Sequence, residues 1–163
     1  PVIGHVGLNP QAVRRLGGPA DRGRILQTAR QLLGGPYVWG GRAPSGVDCS
    51  GLSSLSYRSE GLDLPRDAHE QFLRAKPVKR AELGYADLIF LSKPGKPKQI
   101  NHVMLYAGSD AILESRQSAG KTLETSFTER FGKPLSEIES GDTLVDLSGP
   151  KPEKRAIYFG TYF

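Results

Sequence analysis

Tyr37-Val38-Trp39-Gly40-Gly41, followed after a short loop by Val47-Asp48-Cys49-Ser50-Gly51, is the stretch on which the fold turns. Its first half is aromatic and β-branched but interrupted by paired glycines, so it reads as a turn-rich loop. Its second half runs into a helical pattern, with Asp48 placed as an N-cap. Cys49, the chain's only cysteine, therefore falls on the first turn of a helix. The partial positive charge of a helix N-terminus stabilises a thiolate there and lowers the thiol pKa. Polar or small neighbours (Asp48, Ser50, Gly51) suit a tight helix entry that leaves the sulfur accessible. A lone cysteine is otherwise most often a small buried hydrophobe.

Upstream, Asp21 reads as an N-cap, and Ile25, Leu26, Ala29, Leu32 and Leu33 follow with helical spacing until Gly34-Gly35-Pro36. Downstream, the Cys49 helix runs to about Ser59 and stops near Gly61. Asp67 with Glu70 predicts a capping box for a short helix through about Ala75. The pattern then changes to strands. Asp87 to Leu91 is a short apolar run, and Asn101 to Ala107 and Ala111 to Ser115 flank the hairpin signal Gly108-Ser109-Asp110. Residues 116–153 read as polar and irregular, with a turn of helix near Phe127 to Phe131, and Ala156 to Phe163 reads as a final strand. The predicted class is α+β, with N-terminal helices packed on a central antiparallel β-sheet. Residues 1–20, rich in Gly and Pro, read as a linker or strap from an upstream region, and 21–163 as one domain.

A chain of 163 residues with 37% hydrophobic content can bury a real core without staples. One cysteine excludes an internal disulfide, and no metal-ligand spacing is visible. No cofactor fingerprint is present either, since P-loop and dinucleotide glycine patterns are missing. No apolar run approaches the ~20 residues of a membrane span. The net charge of +5 suits an anionic partner such as a cell-wall polymer, or simply a solvated basic surface. Lys93-Pro94-Gly95-Lys96-Pro97-Lys98 is broken by Pro and Gly, so it reads as a mobile loop, and no nucleic-acid signature accompanies it.

His102, on the predicted strand from Asn101, is the natural general base for Cys49. Side chains alternate along a strand, so His102, Met104 and Tyr106 share a face. If the hairpin turns without a bulge, Glu114 lands across from or diagonal to His102. There it either accepts the imidazole N–H or faces solvent. His5 and His69 read as surface residues. Tyr37 and Trp39, bracketed by glycines, read as loop aromatics lining a cleft.

These residues resemble the NlpC/P60 family of papain-like cell-wall peptidases. The resemblance rests on Gly35-Pro36-Tyr37-Val38-Trp39-Gly40-Gly41, Asp48-Cys49-Ser50-Gly51, Leu64-Pro65-Arg66 with Gln71, Leu83 to Phe90, and His102-Val103-Met104-Leu105-Tyr106. It runs from about Arg24 to Phe163. It implies Cys49 as nucleophile, His102 as base, and a polar third residue twelve positions after the base, here Glu114 where the family often has histidine. It also implies cleavage of the γ-D-glutamyl bond to diaminopimelate or lysine in peptidoglycan stem peptides. In one subgroup a free N-terminal L-alanine is held by a tyrosine twelve residues before the nucleophile and by the flanking Asp and Ser. Those positions are Tyr37, Asp48 and Ser50. That subgroup carries SH3-like modules upstream, which residues 1–20 would suit as a linker. The Tyr37 hydroxyl is a candidate second oxyanion donor beside the Cys49 N–H.

Two other readings compete. One is a papain-like amidase or acyltransferase acting on a different acyl group. The other is a non-catalytic cell-wall binding module or toxin-like effector. Both a cytoplasmic, peptide-recycling setting and an envelope or secreted one fit these residues.

Overall fold

The structure, a computed structural model, describes residues 18–163, so the expected linker over 1–20 lies almost wholly outside the described residues. In chain order the elements are α1 (Arg22–Arg30), β1 (Arg42–Ala43), β2 (Gly46–Val47), α2 (Cys49–Arg58), α3 (Ala68–Arg74), β3 (Lys76–Pro77), β4 (Leu88–Lys93) and β5 (Lys96–Gly108). β6 (Ala111–Arg116), β7 (Lys121–Ser126), α4 (Phe127–Phe131), β8 (Thr143–Asp146) and β9 (Glu153–Thr161) complete them. The main sheet is antiparallel in the order β3-β9-β4-β5-β6-β7, and β8 pairs with β9. This is the α+β layer arrangement that the patterning predicts.

Helix starts follow local chemistry. Asp21 Oδ1 accepts the Arg24 N–H at 2.9 Å, and Asp48 Oδ1 accepts the Gly51 N–H at 2.7 Å. The capping box expected at Asp67 does not form, because Asp67 stands at the N-cap without a side-chain bond. α3 is held from its buried face instead. Gln71 donates to Pro65 O and Ser54 Oγ and accepts from Ser53 Oγ, which ties the helix to α2.

β4 is apolar from Leu88 through Leu91 because both faces of the sheet are covered. Leu88 and Phe90 pack with Ile25, Leu52 and Tyr57 beneath the helices. Ile89 and Leu91 pack with Met104, Ile112, Phe127 and Phe159 on the opposite side.

The stretch 116–153 is not irregular. β7 pairs along the whole of β6, from Arg116↔Lys121 to Ala111↔Ser126, and β8 pairs with the first half of β9. β7 is an edge strand with a single aliphatic residue, Leu123, so hydrophobic alternation leaves no trace of it. Lys93 to Lys98 is also more ordered than a loop. Lys93 pairs with Lys96 around a Pro94-Gly95 turn, where Gly95 adopts φ +67°. β9 spans Glu153–Thr161, earlier at both ends than expected. No helix among the described residues is long and apolar enough to cross a membrane.

Candidate active site

Cys49 is the first residue of α2, and the aromatic loop crosses that first turn. Asp48 N donates to Gly41 O at 3.2 Å, and Gly40 N donates back to Asp48 Oδ2 at 3.0 Å. Only glycine allows this approach. A Cβ on Gly51 would stand 2.1 Å from Gly41 O, and Gly40 adopts φ +77°. Gly40-Gly41 and Gly51 therefore let the backbone of the aromatic loop lie directly on the Cys49 turn.

His102 follows an irregularity in β5. Leu91 pairs with His102 but Ser92 pairs with Ile100, which leaves Asn101 as the extra residue. The Cys49 thiol and the His102 ring line the same pocket, and each shifts the other's protonation. His102 Nε2 lies 2.6 Å from Glu114 Oε2, so the ring's other nitrogen, Nδ1, is left for the sulfur. The β5–β6 hairpin does contain a register shift, between Tyr106 and Gly108. It is confined to the turn: Tyr106 still opposes Ile112, and Glu114 falls diagonal to His102.

Glu114 is fully buried, and its charge is met from three sides. Arg130 Nη1 donates to the same oxygen that faces His102, and Arg116 Nη1 donates to Oε1 at 3.0 Å. Burial pushes the Glu114 carboxyl up, but Arg130, His102 and Arg116 outweigh it and hold its pKa at about 2. Burial pushes the His102 imidazole down, yet its bonds to Cys49 and Glu114 raise its pKa above the ordinary value. Burial likewise pushes the thiol up. The hydrogen bond and charge of His102, with the Val103 N–H, bring it below the ordinary thiol value. Both shifts run in the direction that favours a thiolate beside an imidazolium.

Arg130 is itself anchored, with Nε 3.3 Å from Asp146 Oδ1 and Nη2 2.9 Å from Asp146 Oδ2, and Arg155 reaches Asp146 at 3.4 Å. Sequence reading finds Glu114 but misses Arg116, Arg130, Asp146 and Arg155. A buried arginine looks like any surface arginine in a sequence. The one signal is helical spacing, since Arg130 follows Phe127 by three residues on α4 and shares its buried face.

Asp48 does more than cap. Arg66 grips it with two bonds, Nη2 to Oδ2 at 2.6 Å and Nη1 to Oδ1 at 3.2 Å. Ser50 Oγ donates to Asp48 Oδ1 at 3.3 Å and accepts from Arg66 Nη1 at 3.0 Å. Burial opposes the Asp48 charge, but Arg66 and the Gly51 and Gly40 amides keep its pKa below the ordinary carboxylate value. Burial, with the negative charges of Cys49 and Asp48, pushes the Tyr37 pKa up to about 12, so the residue is a neutral phenol donor.

Cys49, half-buried, sits between two pockets. One, of about 390 Å³, is lined by Asp48, Ser50, Arg66 and His69; the other, of about 440 Å³, is lined by His102, Arg116 and Arg130. Tyr37 and Trp39 border both, and Trp39 is 81% exposed. His69, expected simply at the surface, lines the smaller pocket, and its Nδ1 accepts from Ile100 N at 3.4 Å. His5 lies outside the described residues. Among the described residues no group of three or more His, Cys, Asp or Glu could hold a metal ion.

The family model described as "NlpC/P60 family" matches residues 34–134. The chain belongs to the NlpC/P60 family. Tyr37, Asp48, Cys49, Ser50, His102 and Glu114 all lie inside the matched region of this NlpC/P60 chain, whereas Asp146 and Arg155 lie beyond it. The chain is 37% identical over 100 residues to a gamma-D-glutamyl-L-lysine dipeptidyl-peptidase of Bacillus subtilis, covering 61% of this chain and 33% of that protein. It is 36% identical over 105 residues to the murein DD-endopeptidase MepH of Escherichia coli, covering 62% and 38%. The chain thus spans about a third of the length of such curated relatives. A solved NlpC/P60 family protein from Bacillus cereus aligns with a TM-score of 0.64 at 28% identity, covering 69% of this chain and 36% of that one.

Proposed function

We propose that this NlpC/P60 chain is a cysteine peptidase. Its reaction is hydrolysis of the amide between γ-D-glutamate and the following diamino acid, meso-diaminopimelate or lysine, in peptidoglycan stem peptides with a free N-terminal L-alanine. The observation that carries the reading is that Cys49, at a helix start, shares one cleft with His102, whose ring is held by Glu114. In this mechanism the Cys49 thiolate attacks the γ-glutamyl carbonyl, and the Cys49 N–H and Tyr37 hydroxyl receive the oxyanion. His102 gives its proton to the departing amine, which leaves a thioester. It then takes a proton from water, whose oxygen releases the glutamyl carboxylate and regenerates the thiol. Glu114 stabilises the imidazolium and fixes the ring. Tyr37, Asp48 and Ser50 receive the alanine ammonium, with Arg66 setting how much of the Asp48 charge it meets.

The relative named for γ-D-glutamyl-L-lysine supports this bond; the one named a DD-endopeptidase points to a rival bond. Product masses from L-Ala-γ-D-Glu-diamino acid tripeptides, with the alanine amine free or acetylated, and from a stem-peptide dimer joined by a D,D-bond decide between them. Release of the free diamino acid, faster from the free amine, is expected. Cys49→Ala is expected to lose at least about 10⁴-fold in rate while keeping its fold. Wild-type turnover by that variant overturns the reading, and cleavage of a D,D-bond alone reassigns it.

A further inference from the structure

We infer that the His102 end of the cleft is a carboxylate-binding site for the amine-side half of the substrate. The inference rests on the roles proposed for Cys49 and His102. His102 lines the 440 Å³ pocket and not the 390 Å³ one, so the amine that takes its proton departs into the larger pocket.

The charges of the two pockets differ. Lys93, Arg116, Arg130, Lys151 and Arg155 line the larger one, against the carboxylates Asp146 and Glu153. In the smaller pocket Arg66 faces Asp48 and Asp67. A peptide lying across Cys49 therefore meets a potential that is positive toward the His102 end. Part of that positive charge is free to act. Arg130 and Arg155 are held by Glu114 and Asp146, but Lys93 and Lys151 are exposed and have no salt-bridge partner among the described residues. Arg116 spends one N–H on Glu114, yet its Nε–H is buried with no acceptor among the described residues. The Arg116 side chain is 17% exposed and lines the pocket, so the rest of its guanidinium meets the cleft. A guanidinium that shares its pocket with two ammonium groups fits a carboxylate.

A γ-glutamyl tripeptide can bring a carboxylate here from two sources. One is the main-chain carboxylate of the diamino acid. The other, present in diaminopimelate and missing from lysine, is on its side chain. Four peptides separate the sources: L-Ala-γ-D-Glu joined to meso-diaminopimelate or to lysine, each with the main-chain carboxyl free or amidated. Loss of the carboxylate that binds is expected to lower kcat/KM about three-fold or more. That difference shrinks in Lys93→Gln/Lys151→Gln and shrinks further in Arg116→Gln. Equal kcat/KM for all four peptides, or ratios that the variants leave in place, overturns the site.

A second measurement reads the pocket without turnover: calorimetric binding of free meso-diaminopimelate and of lysine to Cys49→Ala. Tighter diaminopimelate binding that weakens in Lys93→Gln/Lys151→Gln supports the site. It does so even where no peptide is cleaved, a result that overturns the peptidase reading alone. Cleavage of all four peptides at equal rates, with equal binding of the two amino acids, overturns the site alone.

Discussion

The two ends of the cleft hold charge in opposite ways. At the Asp48 end, one carboxylate is matched by one bidentate arginine and sits within reach of solvent, with Arg66 29% exposed. At the His102 end, Glu114 is sealed, and Arg130, 2% exposed, carries its charge onward to Asp146. The first arrangement is a local cap whose charge a ligand can share. The second is a buried relay in which each group depends on the next, so removing one member leaves another charge unpaired in a low-dielectric interior. The difference predicts where substitutions cost stability and where they cost only recognition.

Glu114→Gln strikes the buried end and has the larger effect. It leaves Arg130 and Arg116 facing a neutral amide, so a stability loss of about 3 kcal/mol is expected in urea unfolding. Turnover falls by about 10²-fold or more, because the imidazolium loses its counter-charge. Its pH signature is specific. The His102 pKa is raised partly by Glu114, so without that carboxylate the alkaline limb of kcat/KM moves to lower pH. The acidic limb, which reports thiolate formation, moves to higher pH as the imidazolium becomes less available to Cys49. Stability should change with pH as well. The folded Glu114 pKa, about 2, lies below its ordinary 4.5, so its contribution is full above 4.5 and is lost as pH falls toward 2. An unchanged unfolding midpoint would show that the relay is not a stabilising unit.

Asp48→Asn tests the open end and has a smaller effect. Asparagine keeps an acceptor for the Gly51 N–H, so the helix start survives within about 1 kcal/mol. kcat/KM for the free-amine peptide should fall about ten-fold more than for the acetylated one. An equal fall for both would make Asp48 a cap and nothing else. Added salt has the least effect and separates the cations by depth. Lys93 and Lys151 are exposed, so raising ionic strength well above ~0.15 M should cut the preference for carboxylate-bearing peptides about two-fold. The Glu114 relay, shielded from solvent, should keep its pH limbs in place over the same range.

The depth of a group also decides how legible it is in sequence. Asp21, Asp48 and the glycines around Cys49 act on their own neighbours, and their chemistry can be read within a few residues. The pairing of His102 with Glu114 is long-range, yet strand periodicity carries it across one hairpin. Arg130 and Asp146 meet across sixteen residues through α4 and β8, with no period linking them. β7 escapes notice because an edge strand can be polar. Lys93 to Lys98 misleads because Pro-Gly, a loop signal, here forms only the two-residue turn of a hairpin. Asp67 stands where a cap belongs, but Gln71 fixes the helix by tertiary bonds that no local motif announces.

Trp39 is the chain's sole tryptophan, and it stands on the rim that both pockets share. A peptide laid across the sulfur must strip water from its indole, so emission should shift toward the blue as the cleft fills. The molecule thus carries its own unlabelled optical gauge of occupancy, and in Cys49→Ala that gauge reads binding with the chemistry switched off.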